Sequence, residues 1–273
     1  MVPGLVGALA ASLCYGLATV LQALAARRAV GPSAGTGGLA ATVVDVRYLA
    51  GLVLDGAGFA ASVVALRTLP LFLVQAAVTS SVGVTAVLAV RFLGARLRRR
   101  ELLTLLLLGA GLLLLAASAR PERALPLPVV GGWVVLAAGL VVGAGCLLAA
   151  RAGGRAAGPA CAAGAGLAFG GAALAARALT VPHPLWRVVT DPLAWALAVH
   201  GVVGTLAYAA ALLRTAATTV AAVTFAVETV VPAALGLALL GDSVRAGTAP
   251  LAALGFALAV TASVLLARFA EPA

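Results

Sequence analysis

Residues 218–242 of the chain read TTVAAVTFAVETVVPAALGLALLGD. This apolar run is long enough to cross a bilayer, because about 20 helical residues span the roughly 30 Å hydrocarbon core. An acid, Glu228, stands near its middle, and Pro232 follows one turn later. Proline lacks the N–H that would bond to the carbonyl oxygen of Glu228. Lipid can satisfy neither the carboxyl nor this carbonyl, so we predict that both face protein or a wet cavity.

Apolar runs of this kind follow one another along the whole chain and predict nine transmembrane helices. They lie at residues 4–26, 47–67, 70–92, 100–119, 127–150, 158–178, 193–213, 217–240 and 248–268. The chain has 273 residues, of which 63% are hydrophobic, whereas a soluble domain is nearer half apolar. We therefore predict an all-α integral membrane protein whose first partner is the lipid bilayer.

The basic residues predict the orientation of these helices. All 18 are arginines, and they lie mostly between the apolar runs, so we interpret them as topology signals and not as a nucleic-acid site. With the N-terminus outside, twelve arginines fall in inner segments and six in outer ones. This predicts a multi-pass protein of the plasma (cytoplasmic) membrane, with the N-terminus outside and the C-terminus cytoplasmic. We expect a monomer, with a dimer as the alternative.

Short sequence echoes predict an internal duplication. ALRT at 65–68 returns as LLRT at 212–215, and a second echo relates residues 16–27 to residues 166–177. The predicted division is a first repeat at 1–119, a connecting helix at 120–151 and a second repeat at 152–273. Because five spans separate their starts, the two repeats would have inverted topology. Inverted repeats are typical of transporters that alternate access around a site near the bilayer midplane.

Two motifs show a resemblance to a known family. Glu228 is followed by Leu240-Gly241-Asp242, and the first half contains ALRTLP at 65–70 and FLGARLRRRE at 92–101. At these residues the chain resembles the EamA-like group of the drug/metabolite transporter superfamily. The chain departs from the family pattern at Thr229, where that group often has proline, and at Ala95, where it usually has glutamate. The resemblance implies a secondary carrier or exporter of a small metabolite.

A second resemblance concerns one branch of the same superfamily. The nine-helix layout, the basic end of the first helix and GLVLDGAGFAASVVALRTLP at 51–70 are similar to the NIPA-type magnesium transporters. That branch has an acid where this chain has Phe59, and the nearest acid here is Asp55, one turn earlier. This resemblance implies transport of Mg²⁺ or another divalent cation as the alternative function.

Polar residues inside the apolar runs are the candidates for a site. Asp55 lies near the middle of the second run, on one face with Gly51, Gly58 and Ser62. Acids at that depth are costly and mark functional sites by default. The predicted substrate- or ion-binding set is Asp55, Gln75, Thr79, Glu228, Thr224, His200, Tyr208, Gln22 and Tyr15, with Pro232 as the helix break.

These residues favour transport over catalysis. No nucleophile–base–orienter set and no Cys/His metal spacing occurs in the sequence, so we predict no enzyme activity, no cofactor and no protein-bound metal. The predicted function is alternating-access transport of a small metabolite, with the divalent-cation transporter and a lipid-handling or scaffold protein as alternatives. Proton coupling is a further hypothesis, because a protonated Glu228 can donate a hydrogen bond to the carbonyl freed by Pro232.

Overall fold

The computed structural model describes residues 2–29, 45–93, 98–122, 124–180, 184–215 and 217–269. Residues 94–97 of the predicted FLGARLRRRE motif lie outside this part of the chain. The helices are α1 (Val2–Ala29), α2 (Val46–Leu66), α3a (Leu71–Thr79), α3b (Ser81–Leu93), α4 (Arg99–Ser118), α5 (Val129–Ala152), α6 (Ala157–Ala178), α7 (Pro192–Leu212), α8 (Ala217–Leu239) and α9 (Ala249–Phe269). A 3₁₀ helix, Leu185–Thr190, precedes α7.

Nine helical spans in the described residues are long and apolar enough to cross a membrane, with α3a and α3b counted as one span. The prediction of a nine-helix, all-α membrane protein is therefore confirmed. The ends of the helices follow local capping chemistry. A side-chain oxygen of Asp45 accepts from the Arg47 N–H at 2.7 Å, and one of Asp191 accepts from the Leu193 N–H at 2.8 Å. Each carboxylate thereby satisfies an N–H that the first turn of a helix leaves unpaired.

The third span is broken at Ser80, although the sequence predicted one continuous run at 70–92. Neither proline nor glycine stands at the break. The Ser80 hydroxyl donates to the Ala77 carbonyl at 2.6 Å and lies 3.1 Å from the hydroxyl of Ser12 on α1. The Gly83 N–H bonds to the Ser80 carbonyl at 2.8 Å, which is a tight 3₁₀-type turn. The bond to Ala77 shows serine competing for a backbone carbonyl of its own helix. The contact with Ser12 adds a tertiary interaction at the same residue.

Small residues let the helices approach closely. Where α4 crosses α9, a side chain at Gly111 would meet the backbone of Gly255 at 2.8 Å, and one at Gly255 would meet the Gly111 carbonyl at 2.8 Å. Close backbone approach of this kind is typical of membrane helix packing, since lipid provides no hydrophobic drive for association. In the same way α1 packs on α2, and α6 packs on α5, α7 and α8.

One end of the bundle contains a fully buried ion pair, Arg177–Asp242. The guanidinium also donates to the carbonyls of Leu66, at 2.6 Å, and Leu69, at 2.5 Å. The second carboxylate oxygen of Asp242 accepts from the Leu71 N–H at 2.6 Å, at the start of α3a. The pair therefore joins the end of α6 and the turn after α8 to the turn between α2 and α3a.

Candidate functional site

Six of the nine spans surround a cavity of about 830 Å³. Two carboxyl-bearing residues line it, Asp55 on α2 and Glu228 on α8. The other polar residues in its wall are Tyr15, Thr19, Ser62, Gln75, Thr79, Ser81, Thr205, Tyr208 and Thr224. Among the described residues, no arginine or lysine contributes to this wall. The cavity thus offers carboxyl groups and neutral oxygen donors without a basic side chain to neutralise them.

Asp55 owes its position to the glycines on either side of it. A side chain at Gly51 would meet the Gln22 side chain at 2.7 Å, and one at Gly58 would meet the Tyr15 ring at 3.3 Å. Because both positions are glycine, the polar face of α1 lies directly against α2. The Gln22 amide then donates to the Asp55 carboxylate, with 2.7 Å between nitrogen and oxygen. Gln22 itself is outside the cavity wall, so it contributes through Asp55.

Glu228 owes its position to a glycine face on α6. A side chain at Gly166 would meet the Thr224 carbonyl at 2.7 Å, and one at Gly170 would meet the Pro232 ring at 2.4 Å. The Pro232 ring therefore packs directly on α6. The Thr224 hydroxyl donates across the same interface to the Ala162 carbonyl at 3.0 Å. Because that hydroxyl proton is engaged between helices, only the oxygen of Thr224 is left to face a ligand.

The carbonyl freed by Pro232 has a partner that the sequence did not predict. The Gln75 side-chain amide donates to the Glu228 carbonyl oxygen at 2.9 Å. The sequence interpretation gave that role to the protonated carboxyl of Glu228 itself. A glutamine on the facing helix α3a supplies the donor instead. Its side-chain amide carries two N–H groups whatever the protonation state of the acids. The Glu228 carboxyl is therefore not required to cap its own helix.

Two tyrosines line the same cavity as the two acids, Tyr15 on α1 and Tyr208 on α7. The cavity wall therefore brings together seven of the predicted residues. These are Tyr15, Asp55, Gln75, Thr79, Tyr208, Thr224 and Glu228.

His200 does not line the cavity. Its ring is buried among α5, α6 and α7, where side chains at Gly139 and Gly171 would collide with it. Ring nitrogen Nε2 lies 3.0 Å from the Val135 carbonyl, which can only accept, so this nitrogen is the protonated one. His200 therefore acts here as a packing element between three helices.

The sequence analysis did not single out the apolar part of the cavity wall. It consists of Phe59, Leu66, Val78, Phe169, Ala172, Ala173, Ala176, Ala194, Leu197, Ala198, Gly201, Val202 and Phe225. Hydrophobic residues in membrane helices are ordinary, so no signal in the sequence distinguishes these from residues that face lipid. Of these, Phe59 is 42% exposed and Val202 is 60% exposed.

Comparison with known proteins finds a family match in the first part of the chain. Residues 1–125 of the 273 match the family model of the magnesium transporter NIPA family. This match and the nine apolar spans of the described residues support a membrane transporter. The match confirms the resemblance to the drug/metabolite transporter superfamily and to its NIPA branch. No curated protein and no solved structure matches the chain.

The NIPA-like segment includes one of the two acids. Asp55 falls inside residues 1–125, together with its partner Gln22 and with Gln75, whereas Glu228 lies in the later part of the chain. Within the described residues, no three His, Cys, Asp or Glu side chains cluster as a metal site would require. Any cation in this cavity would therefore depend on two carboxylates, neutral oxygens and water.

Proposed function

We propose that this membrane transporter carries a cation through the cavity between Asp55 and Glu228, with Mg²⁺ as the first candidate. The observation that carries the proposal is the composition of the cavity wall, which has two carboxyl groups and no basic residue in the described chain. A cavity of this kind attracts cations and disfavours anions. The match of residues 1–125 to magnesium transporters supports the choice of Mg²⁺.

The chemistry of Mg²⁺ is compatible with a site that has few protein ligands. This ion gives up its water reluctantly and is commonly held by one or two carboxylates while it keeps several waters. Six waters at about 30 Å³ each occupy about 180 Å³. The cavity of about 830 Å³ accommodates such a hydrated ion with space for further water. Asp55 and Glu228 would then bind the hydrated ion, with tyrosine and threonine oxygens bonding to its waters.

A small metabolite is the second candidate substrate. The observation in its favour is the size of the cavity, which exceeds what a hydrated ion needs, together with the phenylalanine and alanine wall. Concave sites with mostly apolar walls and a few polar groups are typical of small-molecule binding. A positively charged metabolite would satisfy both the acids and the apolar wall.

Helix packing supports an alternating-access mechanism. In the two predicted repeats, the third span corresponds to the eighth and the fourth span to the ninth. The members of each pair are in contact, α3a with α8 and α4 with α9. Gly111 and Gly255 allow the two helices to approach closely at the second of these contacts. We infer that the two halves rock about these contacts, with the cavity between them. The N-outside orientation and the plasma-membrane location belong to the same proposal.

The test is Mg²⁺ flux in proteoliposomes that contain a Mg²⁺-sensitive dye. We expect the parent protein to admit Mg²⁺, and Asp55→Asn and Glu228→Gln each to reduce uptake about tenfold or more, the effect of losing a contact of about 1.4 kcal/mol. The matched control is Glu101→Gln. The Glu101 carboxylate accepts from the Arg98 N–H at 2.8 Å at the start of α4, away from the cavity, and glutamine can make the same bond.

Two outcomes would contradict the proposal. Full Mg²⁺ uptake by both cavity variants would mean that the ion does not pass between the two acids. No Mg²⁺ uptake by a folded parent protein, combined with thermal stabilisation by a cationic metabolite, would replace the first candidate with the second.

A further inference from the structure

Gln75 occupies an unusual place for a side chain of its kind. It is only 3% exposed, it lies on α3a, and its amide bonds to a backbone oxygen of α8 and not to its own helix. Polar side chains in membrane helices more often bond back to their own backbone. In this protein Thr19, Thr85, Thr104, Ser118 and Thr205 all do so. Gln75 therefore serves a contact between helices.

The oxygen that Gln75 reaches is one that the helix cannot satisfy. Residue 232 would normally donate its N–H to the carbonyl of residue 228, but proline has none. An unpaired carbonyl in a membrane interior is costly, because lipid provides no water to replace the lost bond. The bond of 2.9 Å from Gln75 removes this cost at the residue whose side chain faces the cavity.

A second contact holds the neighbouring residue. The hydroxyls of Thr79 and Thr229 lie 2.8 Å apart, one turn along α3a from Gln75. The two contacts join consecutive residues of α8 to consecutive turns of α3a. Because α8 is held at both Glu228 and Thr229, this part of the helix has little freedom to rotate about its axis.

The segment that carries both contacts is itself held at its other end. The N–H of Leu71, which begins α3a, bonds to Asp242 in the turn after α8. After Thr79 the helix breaks at Ser80. The nine residues of α3a are therefore attached at both ends to α8 and its following turn, and are separated by the break from α3b.

We propose that Gln75 is a positioning residue that sets the direction of the Glu228 carboxyl by bonding to the Glu228 backbone, so that α3a and the cavity acid move together. The inference rests on the proposed function of Glu228 as a cation-binding group. It assigns to Gln75 a role through Glu228 and not direct contact with the ion. The Thr79 hydroxyl, one turn from Gln75, contacts Thr229 and not the Glu228 carbonyl, so the longer amide side chain of Gln75 makes that bond.

The structure provides a specific rescue. Replacing Pro232 with alanine returns an N–H to position 232, and that N–H can bond to the Glu228 carbonyl within α8. The Gln75 amide then has no unsatisfied oxygen to serve. Gln75→Met, which keeps the length of the side chain and removes its donor, should therefore be harmful in the parent protein and nearly silent in the Pro232→Ala background.

The primary measurement is the rate at which a hydrophobic carbodiimide labels Glu228, followed by mass spectrometry of the purified protein without any substrate. Without the Gln75 donor the Glu228 backbone is no longer held in place, so we expect Gln75→Met to change the labelling rate about fivefold or more, the equivalent of about 1 kcal/mol. The double variant Gln75→Met/Pro232→Ala should label within about twofold of Pro232→Ala, because the rescuing N–H makes the amide dispensable. Thr104→Val is the matched control, since its hydroxyl bonds to its own helix outside the cavity.

Each result decides the matter separately from transport. An unchanged labelling rate in Gln75→Met would overturn the inference even if Mg²⁺ flux is confirmed. A changed rate that Pro232→Ala fails to rescue would also overturn it, because Gln75 would then act by another contact. If Gln75→Met does not fold, the inference requires that the double variant Gln75→Met/Pro232→Ala folds. A double variant that also fails to fold would refute the rescue. Absence of Mg²⁺ flux with the labelling pattern intact would refute the proposed function and leave the positioning role standing.

Discussion

Replacing Asp242 with asparagine is expected to destabilise the protein strongly, because it leaves the Arg177 guanidinium buried without its counter-charge. Arg177 is 4% exposed, and two of its remaining contacts are the neutral carbonyls of Leu66 and Leu69. Removing one partner of a buried ion pair costs about 3–5 kcal/mol. Asparagine retains an oxygen that can still cap the Leu71 N–H, so the capping contribution of about 1 kcal/mol is largely preserved.

The assay is the free energy of unfolding in detergent micelles, measured for a double-mutant cycle. Arg177→Met alone should also be costly, because it strands the buried Asp242 carboxylate. The variant with both changes should be less destabilised than the sum of the two by about 2 kcal/mol or more, since neither charge is then left unpaired. Additive costs, within about 0.5 kcal/mol, would refute the reasoning.

A second ion pair at the same end of the bundle provides the control. Arg120 and Glu122 are 2.8 Å apart, with side chains that are 63% and 35% exposed. Exposed pairs contribute about 0–1 kcal/mol, because water screens both charges. Arg120→Met should therefore change the unfolding free energy by no more than this. A loss as large as that of Asp242→Asn would show that burial does not distinguish the two pairs.

Three further predictions concern transport and orientation. Phe59→Glu adds a carboxylate to the cavity wall one turn from Asp55, and this variant should take up more Mg²⁺ than Phe59→Gln. Equal uptake by the two variants would argue against a carboxylate-bound ion. The Mg²⁺ uptake that remains in Glu228→Gln should not respond to an imposed pH gradient, and a response equal to that of the parent protein would exclude Glu228 as the proton-coupling site. Single cysteines placed at Val2 and Arg155 should react with impermeant reagents from opposite sides of the membrane, outside and inside respectively; labelling from the same side would contradict the predicted orientation.

The fold class and the two candidate acids could be predicted from the amino-acid sequence. Lipid cannot hydrogen-bond to the backbone, so long apolar runs must be helices, and hydropathy alone locates the nine spans to within a few residues. The same physics makes Asp55 and Glu228 conspicuous, because an acid at that depth needs a polar environment. The helix break predicted at Pro232 does not occur, because α8 is continuous from Ala217 to Leu239 and proline removes only the N–H that would bond to the Glu228 carbonyl. The division into two inverted repeats stays a prediction.

The hydrogen-bond partners of the buried polar groups could not be predicted in this way, because they lie on helices far apart in the chain. Gln75 bonds to the Glu228 carbonyl, and Arg177 pairs with Asp242, across 153 and 65 residues of chain respectively. The sequence analysis had counted Arg177 only as a topology signal. Spacing along the chain predicts which residues share a helical face, but it does not specify the neighbouring helix that this face meets. For that reason His200 was predicted in the site and lies outside the cavity wall, and the break at Ser80 depends on packing that no local residue pattern indicates.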